Sequence, residues 1–418
     1  MEILRIKGGR RLSGEIRLTA AKNAVLPIMA AALMAASPVM LENVPQMADI
    51  DAMSGILRAL GCRVKREQRK MIIDPSAVSC AALDGELPTR LRSSIFALGP
   101  LLGRFRRAEA VYPGGCAIGK RPIDLHLKGL AALGAKVCEE DGRVRIDGRY
   151  MRADDVRLAF PSVGATENLM MAAVLLPGES RIFGAAREPE IVDLAGFLNA
   201  MGARICGAGT DEIRIEGVRR LNGIEYRPIP DRIVAGTLLS AGAITGGSVL
   251  VKDARAAHMQ AVLSALQKMG ASVCAENGGL RVNAALPLKP VTLSTAPFPG
   301  FPTDMQAPLM ALACRAQGES RITETLFENR FQQVEPLRRM GADIRLAHRT
   351  AIIRGGRLYG AQVEARDLRC GAALALAALA AEGESELSGV HLIDRGYERL
   401  EEQLSALGAD VRRENKLD

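Results

Sequence analysis

Cys116 stands in "YPGGCAIGKRPIDLH", Tyr112 to His126, behind a Gly-Gly pair and just ahead of Lys120 and Arg121. Cations beside a thiol lower its pKa from the usual value of about 8.5, and the thiolate is the nucleophilic form. Cys116 therefore reads as a reactive cysteine. Cys138, Cys206 and Cys274 instead share one repeat position, after "GAKV", "GARI" and "GASV", and read as strand residues in inert packing. A second group of residues opens strongly apolar helices: Lys22 with Asn23, Arg92, Ser162 with Thr166, Asp231 with Arg232, Thr303 with Asp304, and Arg369. Thr303 and Asp304 fit as helix caps. Lys22, Arg92 and Arg369 do not, because a cation at the positive end of a helix is unfavourable unless an anion joins it. His126 is the histidine nearest the Cys116 loop, and a packed histidine and a ligand contact both remain open for it. The four histidines show no HxxxH or Cys/His spacing, so no metal site is indicated. No GxGxxG or GxxxxGK[ST] opens a strand–helix unit, so a dinucleotide or P-loop site is unsupported.

The elements that carry these residues repeat. The phrases "LRALGCRV", "LAALGAKV", "LNAMGARI", "LQKMGASV", "LRRMGADI" and "LSALGADV" place glycines at 61, 134, 202, 270, 341 and 408, at steps of 67 to 73 residues. Each reads as the end of an amphipathic helix, a glycine C-cap and a strand. Before each lies a helix apolar nearly all round, such as "KNAVLPIMAAAL" or "LRCGAALALAALA", which predicts burial on every side. A third recurring stretch, "RIKGGRRLSGEIRL", "RIDGRYMRADDVRL", "RIEGVRRLNGIEYR" and "IIRGGRLYGAQVEA", reads as two strands joined by a turn.

The chain is thus predicted as α/β, six units of about 70 residues, each with two helices and about four strands. One unit cannot bury its central helix alone, but three around a local three-fold axis can, giving two domains with a cleft between. Residues 22–229 form the first domain, and residues 1–21 plus 230–418 the second. The N-terminal strands have no upstream unit and are expected to complete the sixth. Parallel central helices would aim their N-termini at the cleft as an anion site.

The 418 residues are 48% hydrophobic and 24% charged, with a formal charge of +8, a balance that suits small anionic substrates. Aromatics make up 3% with no Trp, poor material for stacking nucleic-acid bases. The basic run "CRVKREQRK" reads as a solvated strand edge. No apolar segment is long and pure enough to span a membrane, and the eight cysteines are too sparse for a disulfide scaffold. A soluble cytoplasmic protein with reduced thiols is expected.

The stretches "TAAKNAVLPIMAA", "LRSSIFALGPLLGRF", "YPGGCAIGKRPIDLH", "REPEIVDLAGFLNAMGA", "FPTDMQAPLMAL", "ITETLFENRF" and "IDRGYERLEEQLSALGA" resemble, in order and end to end, the UDP-N-acetylglucosamine enolpyruvyl transferases. That resemblance implies a two-domain inverted α/β barrel, with no metal or organic cofactor. It implies transfer of the enolpyruvyl group of phosphoenolpyruvate to the 3-hydroxyl of UDP-N-acetylglucosamine, the first committed step of peptidoglycan synthesis. Residue by residue, it implies Lys22 and Asn23 at phosphoenolpyruvate, with Arg121 and Arg395 as further cations there. Arg92, the run Arg121, Pro122, Ile123, Asp124 and Leu125, and also Leu326 and Arg330 match positions at the UDP-sugar or its surroundings. Asp304 matches the base proposed for the sugar hydroxyl, and Asp367 and Arg369 an acid and a base nearby. Cys116 matches the proton donor, which can also bond covalently to phosphoenolpyruvate and to fosfomycin.

Three positions depart from the family pattern. Ala20 replaces a usual Gly, Phe160 stands where some members carry a uridine-contacting lysine, and Cys370 replaces Ala inside an apolar helix, where it is expected to be buried. The alternatives are the shikimate-pathway enolpyruvyl transferases and a non-catalytic, nucleotide-sugar-binding regulator. The former would show "GNAGT"-like and "SKS"-like stretches where this chain has "LRSSIF" and "AAKNAV".

Overall fold

A computed structural model describes residues 2–112, 114 and 122–416. Two compact units emerge, one running from the N-terminus to Leu18 and again from Pro230 onward, the other running between Thr19 and Ile229. The six repeat glycines set the local geometry. Gly61, Gly134, Gly202, Gly270, Gly341 and Gly408 all take positive φ, between 89° and 109°, just past the end of a helix. Only glycine adopts this left-handed conformation without a Cβ penalty, so each phrase ends its helix and turns the chain into a strand.

Among the described residues the strands form six four-stranded sheets, three in each unit. The stretches read as two strands and a turn are not hairpins. Arg143–Asp147 and Asp155–Arg157, although close in sequence, lie in different sheets, and so do Glu212–Glu216 and Glu225–Tyr226. Each short linker carries the chain from one sheet to the next, where the arriving strand pairs in parallel. Asp155–Arg157 pairs with Glu179–Phe183, Glu225–Tyr226 with Val39–Leu41, and Ala82–Leu83 with Arg107–Val111. Three such hand-overs close a ring of three sheets. The unit beyond Pro230 closes in the same way, through Thr292–Ser294, Gln362–Glu364 and Ser13–Arg17.

This topology corrects the reading of the N-terminus. Glu2–Lys7 does complete the sixth repeat's sheet, between Glu384–Ser388 and Asp410–Asn415. Ser13–Arg17 instead joins the fourth repeat's sheet beside Ser248–Lys252. A two-strand hairpin would have left the ring open.

The central helices fill the rings. Arg232–Ile244, Gln306–Ala313 and Leu368–Leu379 pack on one another in one unit. Lys22–Ala31, Leu98–Phe105 with its 3-10 lead-in Arg92–Ala97, and Val163–Ala173 pack in the other. Nearly every residue of these helices is buried, Cys370 included. Each fully buried Leu, Ile or Met contributes about 1.5–3 kcal/mol. Small residues set the spacing: a Cβ on Gly99 would fall 2.4 Å from the Asn168 carbonyl oxygen. The basic run 62–70 is an edge strand, Arg63–Glu67, as expected. Cys138, Cys206 and Cys274 lie in strands but are exposed, so they are not packing residues. Their side chains point to the outer face of the sheets, because successive strand residues alternate faces. No helix among the described residues is long and apolar enough to cross a membrane.

Candidate active site

The unit between Thr19 and Ile229 carries its candidate groups at uncapped helix starts. Lys22 begins Lys22–Ala31 after Ala21, which offers no side-chain cap. Its Nζ donates to Asp49 Oδ2 at 3.2 Å, and both side chains are buried. Asp49 lies in the first turn of Ala48–Ala59 and offsets the cation that the helix start disfavours. Asn23 beside it is half-buried. Arg92 begins a 3-10 turn after Leu91, again without a side-chain cap, and its guanidinium donates to the Pro122 carbonyl at 3.5 Å. Ile123 is buried, while Asp124 and Leu125 are half-buried at the start of Asp124–Ala132. The hydrogen bond from Lys128 is the main cause holding the Asp124 carboxyl below its ordinary pKa. Cys116, Lys120 and Arg121 lie outside the described residues.

Behind this surface is a polar core. Asn168, fully buried, approaches His126 Nδ1 at 2.9 Å, donates to the Ile95 carbonyl at 2.8 Å and accepts from Gly99 N–H at 2.8 Å. His126 is buried and packs against Asn168. Glu167, one residue earlier, is fully buried with neither carboxyl oxygen partnered. Burial first, then nearby Glu190 and Glu188, hold its pKa well above the usual carboxylate range. Phe160 is exposed.

The other unit gathers charge around one acid. Asp304 does not cap its helix, since Pro302 precedes the 3-10 turn Thr303–Met305 and no side chain caps it. Thr303 is not a cap either: its hydroxyl donates to Glu324 Oε2 at 2.8 Å. Both Asp304 oxygens instead face arginines. Arg330 donates to Oδ1, and Arg369 Nη2 donates to Oδ2 at 3.0 Å. The two guanidinium side chains are 5% exposed and the carboxylate 28%, so the acid is the part of this triad that solvent or a substrate can reach. Burial alone would lower the Arg369 pKa. The charges of Asp304 and Asp231 outweigh it, and the guanidinium stays firmly protonated above its ordinary value. Arg369 also lies over the Tyr397 ring, 5.3 Å from its centroid, and its Nε and Nη1 have no hydrogen-bond partner.

Asp367 and Asp231 are the caps here. Asp367 Oδ1 accepts from the N–H groups of Arg369 and Cys370 at 2.8 and 2.9 Å, and Asp231 Oδ1 from Ile233 and Val234 at 2.8 and 3.0 Å. Leu326 is half-buried, its N–H held by Glu324 Oε1 at 2.9 Å. Arg395 is half-buried in the turn after Val390–Ile393. Adjacent Asp394 takes two bonds from Arg413, at 2.7 and 3.0 Å, which ties that turn to the last strand, Asp410–Asn415. Asp304, Arg330 and Arg369 therefore come together in this unit, with Asp367 two residues away in the chain. Asp49, Glu167, Glu324 and Tyr397 were not singled out from the sequence. Tyr397 stands in the quoted "IDRGYERL", and Asp49 reads as an ordinary first-turn acid.

Rings of three sheets around apolar helices, present twice in one chain, define an enolpyruvyl transferase architecture. The enolpyruvyl transferase NikO from Streptomyces tendae matches with a TM-score of 0.88 and 26% identity, over 99% of this chain and 98% of that one. An EPSP synthase from Acinetobacter baumannii shares the fold at a TM-score of 0.75 and 17% identity, over 99% of this chain and 100% of that one. The fold is the two-domain inverted α/β barrel. The EPSP synthase (3-phosphoshikimate 1-carboxyvinyltransferase) family profile matches residues 6–404. More narrowly, the UDP-N-acetylglucosamine 1-carboxyvinyltransferase of Halothermothrix orenii is 47% identical over 408 residues, 98% of each chain. The chain belongs to the UDP-N-acetylglucosamine 1-carboxyvinyltransferase family, and it is an enzyme.

Proposed function

We propose that this enzyme transfers the enolpyruvyl group of phosphoenolpyruvate to the 3-hydroxyl of UDP-N-acetylglucosamine and releases phosphate, as a step of peptidoglycan synthesis. The observation that carries the reading is the near-complete alignment with relatives of that name at close to half identity. The Asp304 triad supports it chemically. Addition of a hydroxyl across the double bond of an enol phosphate needs a base at the hydroxyl and an acid at C3. Asp304 takes the sugar proton while Cys116 supplies one to C3, and the oxygen bonds to C2. The resulting phosphoketal then returns a C3 proton to the Cys116 thiolate as the C2–O bond to phosphate breaks, the departing phosphate taking up the proton held on Asp304, and the double bond is restored. Lys22, Arg121 and Arg395 hold the phosphate charge, and Arg330 and Arg369 keep Asp304 oriented.

The reading takes the two compact units as two domains serving one reaction, with Lys22, Arg92, Cys116 and Arg121 from one and Asp304 and Arg395 from the other. It also takes the enzyme as cytoplasmic and Cys116 as the fosfomycin target. Asn23, Pro122, Ile123, Asp124, Leu125, Leu326, Asp367 and Arg369 complete the proposed substrate contacts.

The test is phosphate release from phosphoenolpyruvate with UDP-N-acetylglucosamine, and with shikimate 3-phosphate as control. Turnover with the first acceptor alone is expected. Turnover with the second alone would reassign the enzyme.

A further inference from the structure

Four donors converge on the carboxylate of Glu324, which is 1% exposed. Oε1 accepts from Thr295 Oγ1 at 2.9 Å and from the N–H groups of Leu326 and Phe327 at 2.9 and 3.2 Å. Oε2 accepts from Thr303 Oγ1 at 2.8 Å. The Thr295 hydroxyl in turn accepts from Thr325 N–H at 2.9 Å. One side chain thus ties three segments: the end of Thr292–Ser294, the turn that presents Asp304, and the loop that leads to Arg330. Asp304 and Arg330, the two ends of an ion pair, are each carried by a segment that Glu324 holds.

The fold itself does not require this residue. At the matching point after the equivalent strands Arg107–Val111, Glu179–Phe183 and Glu384–Ser388 stand Tyr112, Gly184 and Gly389, and after Val39–Leu41 and Ser248–Lys252 stand Glu42 and Asp253, acids that are only half-buried and pair with the exposed Lys70 and Arg17. Those sheets form without a buried carboxylate there. A carboxylate taken out of water is costly unless its lone pairs are satisfied, and here three of the four bonds come from the Asp304 turn and the Arg330 loop, the fourth from Thr295.

We propose that Glu324 is a positioning residue for the reaction. It fixes the turn of Asp304 against the loop of Arg330, so that the carboxylate keeps its guanidinium partners and its orientation toward the acceptor hydroxyl. The idea rests on the function proposed above for its kinetic consequences, but not for its effect on Asp304 itself. Glu324→Gln keeps the shape but turns one acceptor into a donor. Thr303→Val cuts only the arm to the Asp304 turn and covers the case in which Glu324→Ala does not fold.

The experiment compares kcat, KM for each substrate and the pH profile of kcat for wild type, Glu324→Gln, Glu324→Ala and Thr303→Val. Alongside, the Asp304 carboxyl is titrated by 13C NMR on Asp-labelled protein, assigned through Asp304→Asn. The expected result is a kcat loss of about 10-fold or more in the Glu324 variants, in line with a displaced reacting group. KM for the sugar nucleotide should change less than kcat. The acidic limb and the NMR titration should move together to higher pH by about half a unit or more, since loosened guanidinium contacts favour the ionised form less. A purely structural role would lower thermal stability and leave both pH readouts in place, which would overturn the proposal. If wild type releases no phosphate from either acceptor, the reaction assignment fails. The NMR titration of Asp304 then decides the positioning role by itself.

Discussion

The two units start their central helices with opposite chemistry. Between Thr19 and Ile229, the starts bear Lys22 and Arg92 without side-chain caps, and only Ser162 caps, accepting from Ala165 N–H. Beyond Pro230, all three starts bear aspartate: Asp231 and Asp367 cap, and Asp304 does not. A cap oxygen bonded to its own helix is satisfied locally. The residues that forgo capping are those held by something else, Lys22 by Asp49 and Asp304 by two arginines. Departure from good capping therefore singles out the groups available for chemistry. One unit offers cations suited to a phosphorylated ligand, the other an acid suited to taking a proton.

The sharpest way to break this contrast is Asp304→Asn. Loss of a positioned base should cost about 10² to 10⁴-fold in kcat. The substitution also leaves two guanidinium groups, each 5% exposed, without their counter-ion. A fall in Tm should accompany the loss, at less than the about 3–5 kcal/mol of a fully buried pair because Asp304 is partly open to solvent. A variant with near-wild-type kcat would remove Asp304 from the mechanism. Lys22→Ala comes next and should raise KM for phosphoenolpyruvate about 10 to 100-fold, the loss of one or two charge-assisted bonds. Asp49→Asn should have a smaller effect on the same constant. An effect confined to KM for UDP-N-acetylglucosamine would reassign Lys22.

How much of this was legible from sequence depends on the scale. The six repeats were legible because each glycine C-cap is a local demand, written as the same phrase six times. The hand-over of strands was not. Arg143–Asp147 and Asp155–Arg157 look like a hairpin until tertiary pairing sends them to different sheets. Cys138 was misassigned for a related reason, since a strand pattern gives alternation but not which face is inward. Asp304, Arg330 and Arg369 were legible by resemblance as site positions, yet their pairing was not, because Arg330 and Arg369 lie 26 and 65 residues from Asp304. Glu324 in "ITETLF" looks like any solvated residue at a strand end, and only the converging donors distinguish it.

The contrast sharpens at Glu167, a carboxyl in the basic-start unit with no hydrogen-bond partner. Its folded pKa lies above the unfolded value, so the folded state keeps a proton that the unfolded state releases. Stability contributed by this site is therefore level at low pH and falls as pH rises through the ordinary carboxylate range. Glu167→Gln removes that dependence. Its Tm relative to wild type should rise by roughly 3 °C or more between pH 5 and pH 8. A constant difference across that range would show that Glu167 is ionised in the folded enzyme.

The smallest effect tests whether a cap is only a cap. Asp367 holds two backbone N–H groups through one oxygen, and resemblance also places it near substrate. Asparagine caps about as well as aspartate, whereas alanine loses about 0.5–2 kcal/mol. Asp367→Ala should therefore lower stability by that amount, and Asp367→Asn should not, as chemical denaturation would read. Turnover separates the two roles. If the capping bonds are all that Asp367 supplies, Asp367→Asn keeps kcat within about two-fold, because its side-chain oxygen still meets the same N–H groups. A large kcat loss at unchanged stability would mean that the negative charge itself acts on the substrate. Asp367 would then stand with Asp304 rather than with Asp231, and capping would no longer separate structural from chemical aspartates in this unit.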